Sequence, residues 1–154
     1  MKLFENLFRK ISPHKKIIFI VEDNHLYALA LQGFLSIRFP NLEIKIFADG
    51  ESCLASLHLN PFIIIMDYLL NTEHKDAATG LATIKQIKLG NPHANIILLS
   101  AKTELDVFIK ALSVYGCIYI RKDDGPFEKI EHYINNTTLN QFHSAIPYGI
   151  SEQK

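Results

Sequence analysis

Between Phe62 and Leu70 the chain reads FIIIMDYLL, and this stretch narrows the choice of fold more than any other. A strand so uniformly apolar has no face left for water, so it belongs at the centre of a parallel sheet with helices on both sides. Asp67 then stands at the carboxyl end of that strand, the edge where open α/β sheets collect ligands and chemistry. Asp is also a common turn and cap residue. Position by itself leaves both readings of Asp67 open: a functional carboxylate, or a cap for the segment that follows.

The rest of the chain supplies the partners such a strand needs. Ile17 to Val21 is a second continuous apolar run, ending in Glu22 and Asp23, and Asn24 can cap a helix with Tyr27, Ala30, Leu31, Phe34 and Leu35 inward. Leu42 to Phe47 has strand character; Asp49-Gly50 turns the chain into a short helix, Glu51 to Leu59, carrying Leu54 and Leu57. Beyond the Asp67 strand, Gly80 to Leu89 is helical with Leu81, Ile84 and Ile87 on one side, and Asn95 to Ser100 is a fourth strand. Thr103 and Asp106 form a capping-box pattern before a helix with Leu105, Phe108, Ile109 and Leu112 inward, which Gly116 ends. Cys117 to Ile120 is a fifth strand, and Pro126 starts a last helix with Phe127, Ile130 and Ile134 inward. Five strands alternating with five helices imply a parallel α/β sheet covered on both faces, with right-handed crossovers. A length of 154 residues suits one domain, divided here as an N-terminal amphipathic extension (1–15), the α/β domain (16–135) and a C-terminal tail (136–154).

Several strand ends carry chemistry: Glu22-Asp23 after the first, Asp67 after the third, Ser100 after the fourth and Lys122 after the fifth. In a doubly wound order with the first and third strands adjacent, these ends converge at the switch point. Three crowded carboxylates repel one another unless a cation is present, and oxygen ligands without Cys or His favour a hard ion such as Mg²⁺. A lysine and a hydroxyl opposite complete a cradle for a phosphoryl group, so the chemistry suggested is in-line phosphoryl transfer to Asp67. Each residue taken singly has an ordinary explanation as cap, strand-end hydroxyl or solvated charge; their joint placement is what carries the reading.

At this point the segments IIFIVEDNHLYALAL, FIIIMDYLL, IILLSAK and YIRK resemble, in order, the receiver domain of two-component response regulators. The resemblance spans Lys16 to Ile134 and implies a flavodoxin-like fold of strand order 2-1-3-4-5. It implies that Asp67 is the phosphoacceptor, fed by a histidine kinase or histidine phosphotransfer protein, and that Glu22, Asp23, Asp67 and the backbone carbonyl of Leu69 hold Mg²⁺. Ser100 and Lys122 would contact the phosphoryl oxygens, Tyr119 would be the switch aromatic, and Leu69 and Lys102 would tune how long the phosphoryl group lasts. Output would run through protein contacts, with a homodimer through the fourth helix, fifth strand and fifth helix as one arrangement. On this reading the protein is no enzyme beyond its own phosphorylation and dephosphorylation, and it works in the cytoplasm.

The chain also departs from that family. The loop after Asp67 reaches Gly80 only after thirteen residues and has no proline, so Leu70 to Thr79 is either a partner-recognition element or a tolerated insertion. Asp123 follows the lysine, as in regulators that carry DNA-binding domains, yet NNTTLNQFHSAIPYGISEQK is too short for a helix-turn-helix module. A stand-alone receiver or a fragment of a longer protein is expected. Sixteen basic against sixteen acidic residues do not argue for nucleic-acid binding, and the apolar runs are too short to span a bilayer. Met1 to Ile11 is amphipathic, for a membrane surface, a partner, its own domain or a dimer mate. Cys53 and Cys117, isolated in apolar patterns, are expected as buried thiols in a reducing compartment. Two alternatives compete with this reading: a pseudo-receiver that binds a partner without phosphorylation, and an aspartyl-phosphate hydrolase. The second needs an acidic residue where Leu69 stands.

Overall fold

The computed structural model describes residues 15–70, 79–101 and 108–144. Five parallel strands, β1 (Ile17–Val21), β2 (Glu43–Phe47), β3 (Ile63–Asp67), β4 (Ile96–Ser100) and β5 (Ile118–Arg121), form one sheet in the order β2-β1-β3-β4-β5. Helices α1 (His25–Arg38), α2 (Gly50–Ala55), α3 (Gly80–Gly90), α4, seen as a π-wound segment over Lys110–Val114, and α5 (Pro126–Ser144) make the crossovers. This is the parallel sheet covered on both faces that the alternation implied, and the flavodoxin-like fold that the resemblance implied.

Strand alternation sorts the core into two layers. Ile18, Ile20, Ile63, Ile65, Ile97, Leu99 and Ile120 pack with Ala28, Leu31 and Leu35 of α1 and Ile130 and Ile134 of α5. Phe19, Val21, Ile64, Met66, Ile96 and Leu98 pack on the opposite face with Cys53 of α2, Ile84 and Ile87 of α3 and Ala111 of α4. Both faces are dry, which is why β1, β3 and β4 carry no polar residue until their last position. The alternation that sends Ile63 and Ile65 toward α1 and α5 sends Asp67 the same way.

Side-chain caps start three helices. Asn24 Oδ1 accepts from Tyr27 N–H at 3.0 Å, Asp49 Oδ1 from Ser52 N–H at 2.7 Å and Thr79 Oγ1 from Ala82 N–H at 3.3 Å. Gly116 adopts φ of +59° after α4, the left-handed turn a glycine accepts without strain. Both cysteines are buried thiols.

Four local expectations change. Ala30 is exposed and Ala28 takes the inward position, because the cap at Asn24 sets the phase of α1 and places Ala28, Leu31 and Leu35 on one stripe. Residues 51–59 are not one helix: α2 ends at Ala55, and a 3-10 turn over Leu57–Leu59 closes on Asn60 in the left-handed region. In α4, Phe108, Ile109 and Leu112 are each more than a third exposed and Ala111 is the buried residue; from Lys110 to Val114 the winding is π, which turns side chains by a different angle per residue than the 3.6 period assumes. Finally, α5 runs past Ile134 to Ser144, into the region read as tail. Thr137 and Thr138 hydroxyls donate back to the carbonyls of Tyr133 and Ile134 at 2.8 Å, so polar residues continue the helix. The N-terminal extension, most of the Leu70–Thr79 loop, Lys102, the Thr103–Asp106 box and residues 145–154 lie outside the described residues. Among the described residues, no helix is long and apolar enough to cross a membrane.

One close approach ties α3 to the end of β3. Gly80 N–H donates to Tyr68 O at 2.9 Å, and a Cβ on Gly80 would lie 1.9 Å from the carbonyl oxygen of Asp67. Backbone cannot yield as a flexible side chain does. Gly80→Ala is therefore expected to destabilise the fold by about 1–3 kcal/mol, read as a lower urea midpoint at unchanged slope; an unchanged midpoint would show that α3 does not depend on this approach.

Candidate functional site

The strand order dictates which side chains meet. With β1 and β5 on either side of the β3-β4 pair, the ends of β1 and β3 lie side by side and the β5 turn reaches over β4. Backbone bonds fix the ends: Glu22 N–H donates to Phe47 O at 2.9 Å, Tyr68 N–H to Leu99 O at 2.8 Å and Lys122 N–H to Ser100 O at 2.9 Å. The result is that Lys122 Nζ sits 2.6 Å from Glu22 Oε2 and 3.0 Å from Asp67 Oδ1. Glu22 Oε1 accepts from Asn24 N–H at 3.2 Å, so the residue that caps α1 also orients the first carboxylate. Carboxylate oxygens of Glu22, Asp23 and Asp67 all lie within 4.8 Å of one another.

The electrostatics follow from burial. Glu22 and Asp67 are 3% and 5% exposed, and leaving water pushes both carboxyls above their ordinary range. Lys122 opposes that shift on both. The Asp67 charge raises Glu22 further, and the Asp23 charge raises Asp67. One ammonium against three carboxylates leaves a net negative pocket whose donors are oxygens. Such a donor set fits a hard divalent cation such as Mg²⁺, and with Lys122 beside it an anionic group would stand between two positive centres.

Of the residues singled out in the sequence, the structure brings Glu22, Asp23, Asp67 and Lys122 into one cluster. Ser100 is buried at the end of β4, joined to Lys122 through its carbonyl. Leu69 follows Asp67 in a half-buried bend. Tyr119 is half-buried on β5 and meets Phe108 of α4 edge to face, ring centroids 5.4 Å apart. Tyr27 was read as a core residue of α1, yet its ring lies 4.5 Å from Lys122 Nζ. Its spacing of one helical turn from Asp23 was the available signal.

Comparison with known proteins agrees with this geometry. The family model of the response regulator receiver domain matches residues 18–134. A curated relative, "Transcriptional activator protein ExaE" of Pseudomonas putida, is 26% identical over 115 residues, covering 74% of this chain and 51% of the relative. The chain thus spans about half the length of that relative. Among solved structures, the N-terminal domain of an uncharacterized protein from Wolinella succinogenes is 25% identical with a TM-score of 0.70, over 84% of this chain and 98% of that one. A CheY-like response regulator receiver domain protein from Methanospirillum hungatei is 20% identical with a TM-score of 0.67, over 83% and 98%.

The raised carboxyls define a test. A folded state that holds protons more tightly than the unfolded chain is favoured as pH falls toward the ordinary carboxylate range and loses that advantage as pH rises through the folded values. In metal-free buffer at about pH 7.5, Asp67→Asn should melt higher than the wild type, by about 2–4 °C for each kcal/mol of relieved repulsion and burial, and the gain should shrink at about pH 5. Mg²⁺ should raise the melting temperature of the wild type more than that of the variant. A variant that melts lower at both pH values would show that the Lys122 bridge outweighs the burial of Asp67.

Proposed function

The chain belongs to the response regulator receiver domain family, and from that premise we propose that Asp67 accepts a phosphoryl group from the phosphohistidine of a histidine kinase or phosphotransfer protein. The observation that carries this reading is the bridge of Lys122 between Asp67 and Glu22 at 3.0 and 2.6 Å, inside a cluster of three carboxylates at the carboxyl edge of the sheet. An Asp67 carboxylate oxygen forms the new bond to phosphorus as the bond from phosphorus to the donor imidazole breaks. Lys122 already touches the attacking carboxylate, and its ammonium can follow the charge onto the phosphoryl oxygens without a large movement.

Glu22, Asp23, Asp67 and the carbonyl of Leu69 would hold Mg²⁺, which when bound supplies positive charge against both the carboxylates and the phosphoryl oxygens. The carboxylates' mutual repulsion supports a cation there. Ser100 donates its hydroxyl to a phosphoryl oxygen, and Tyr119 follows it inward. Two or three charge-assisted hydrogen bonds at about 1.5–3 kcal/mol each match the roughly 5.5 kcal/mol needed to carry a two-state element from 1:99 to 99:1. Leu69, two residues after Asp67, would tune the lifetime of the product, as would Lys102, which lies outside the described residues. The signal then leaves through protein contacts.

Incubation with Mg²⁺ and a small acyl phosphate, followed by intact mass, tests the proposal. A single phosphoryl adduct is expected on the wild type and none on Asp67→Asn. Asp23→Ala should lose labelling together with its Mg²⁺ dependence. An adduct of undiminished yield in Asp67→Asn would place the acceptor elsewhere, and wild-type labelling in Asp23→Ala would remove that residue from the metal site.

A further inference from the structure

We propose that Tyr27 is a positioning residue for Lys122, its ring closing the side of the ammonium that Glu22 and Asp67 leave open. The inference rests on the phosphoacceptor reading for its consequence, and on geometry for its existence. A lysine is a point charge on a flexible four-carbon stem, so its aim is set by what surrounds it. Around Lys122 Nζ stand Glu22 Oε2 at 2.6 Å, Asp67 Oδ1 at 3.0 Å and the Tyr27 ring, with its centroid at 4.5 Å. Two donors are directed by carboxylates, and the ring quadrupole attracts the ammonium from another side.

The ring is itself held. Phe127 of α5 meets it edge to face at 5.5 Å, Phe34 of α1 lies 5.3 Å from Phe127, and Arg38 covers the Phe34 ring at 3.5 Å while its Nε donates to Glu131 of α5 at 2.8 Å. The α1-α5 seam therefore runs as one row of contacts from the surface to the lysine. The Tyr27 hydroxyl is buried without a hydrogen-bond partner among the described residues. With no hydrogen bond made by the hydroxyl, what the side chain brings to the lysine is its ring. Because α1 begins at the cap that also orients Glu22, a single helix start places both the ring and one of the carboxylates it works with.

Three variants separate positioning from packing. With Mg²⁺ and a small acyl phosphate as the probe, Tyr27→Leu should label roughly three- to tenfold more slowly than the wild type, and Tyr27→Phe, which keeps the ring, within about twofold. Ile87→Val, which loosens the opposite layer of the core, should melt lower but label at close to the wild-type rate. Equal slowing in Tyr27→Leu and Ile87→Val, equal slowing in Tyr27→Leu and Tyr27→Phe, or no slowing in Tyr27→Leu would each overturn the proposal. A readout independent of labelling is the Lys122 Hε resonance, expected upfield in the wild type and Tyr27→Phe from the ring current and back at its ordinary position in Tyr27→Leu; if Tyr27→Leu does not fold, Tyr27→Met takes its place. A wild type that shows the upfield shift but takes no label defeats the phosphoacceptor reading and leaves the contact standing. A wild type that takes label but shows no shift defeats the contact.

Discussion

Lys122 binds two buried carboxylates at once, and the carboxyl edge of the sheet is arranged around that bridge. Removing Glu22 and Asp67 from water is unfavourable, and their attraction to a common ammonium offsets only part of that burden, since both carboxyls still lie above their ordinary range. The imbalance has a structural origin. Asp67 is fixed by the β3-β4 register and the close approach of Gly80, Glu22 by β1 and the α1 cap, and neither can turn away to water. A pocket in which negative charge outnumbers positive is poised to take up a cation and, through it, an anion. The stability forgone there is the usual price of a site built for binding.

The two-layered core is what makes such crowding tolerable. Strands β3 and β4 are buried along their whole length and β1 from Ile18 onward, so the sheet draws its stability from residues away from its carboxyl edge. Because successive residues alternate, one chain of apolar positions serves α1 and α5 and the other serves α2, α3 and α4. Asp67 falls on the first set, which brings it to the side where Tyr27 and Phe127 lie. The site thus inherits its surroundings from the parity of a strand.

That parity is why much of the molecule was legible in the sequence. Runs such as IIFIV and FIIIMD leave no alternative to a covered parallel sheet, and polar residues at their ends mark the edge where Glu22, Asp23, Asp67, Ser100 and Lys122 stand. Helix phase was less legible. Ala28 and Ala30 carry the same hydrophobicity, and the cap geometry at Asn24, not composition, chose between them. In α4 the apolar residues suggested an inward face, but hydrophobic periodicity presumes 3.6 residues per turn, and the π-wound segment does not keep that period. Tyr27 was hidden for a different reason: an aromatic at helical spacing is more often core than site, and only the lysine ninety-five positions away gives its ring a second role.

The exposure of α4 bears on how a change at Asp67 could travel. An element that moves must be held by few buried contacts, because each one lost has to be offset by contacts at the new position. Within its described part α4 buries Ala111, while Phe108, Ile109, Leu112 and Val114 are each more than a third exposed, and its last turn closes on i to i−5 geometry through Tyr115 N–H to Lys110 O at 3.2 Å. By contrast α1 and α5 bury Leu31, Leu35, Ile130 and Ile134 in one layer of the core. The edge-to-face contact of Phe108 with Tyr119 then becomes a link of modest strength, about 0.5–1.5 kcal/mol, between α4 and the strand that carries Lys122 in its turn. A link of that size is small against the charge-assisted bonds proposed at the phosphoryl group, so binding there can override it, whereas the α1-α5 seam, tied by burial, stays in place as the surface against which the lysine is aimed.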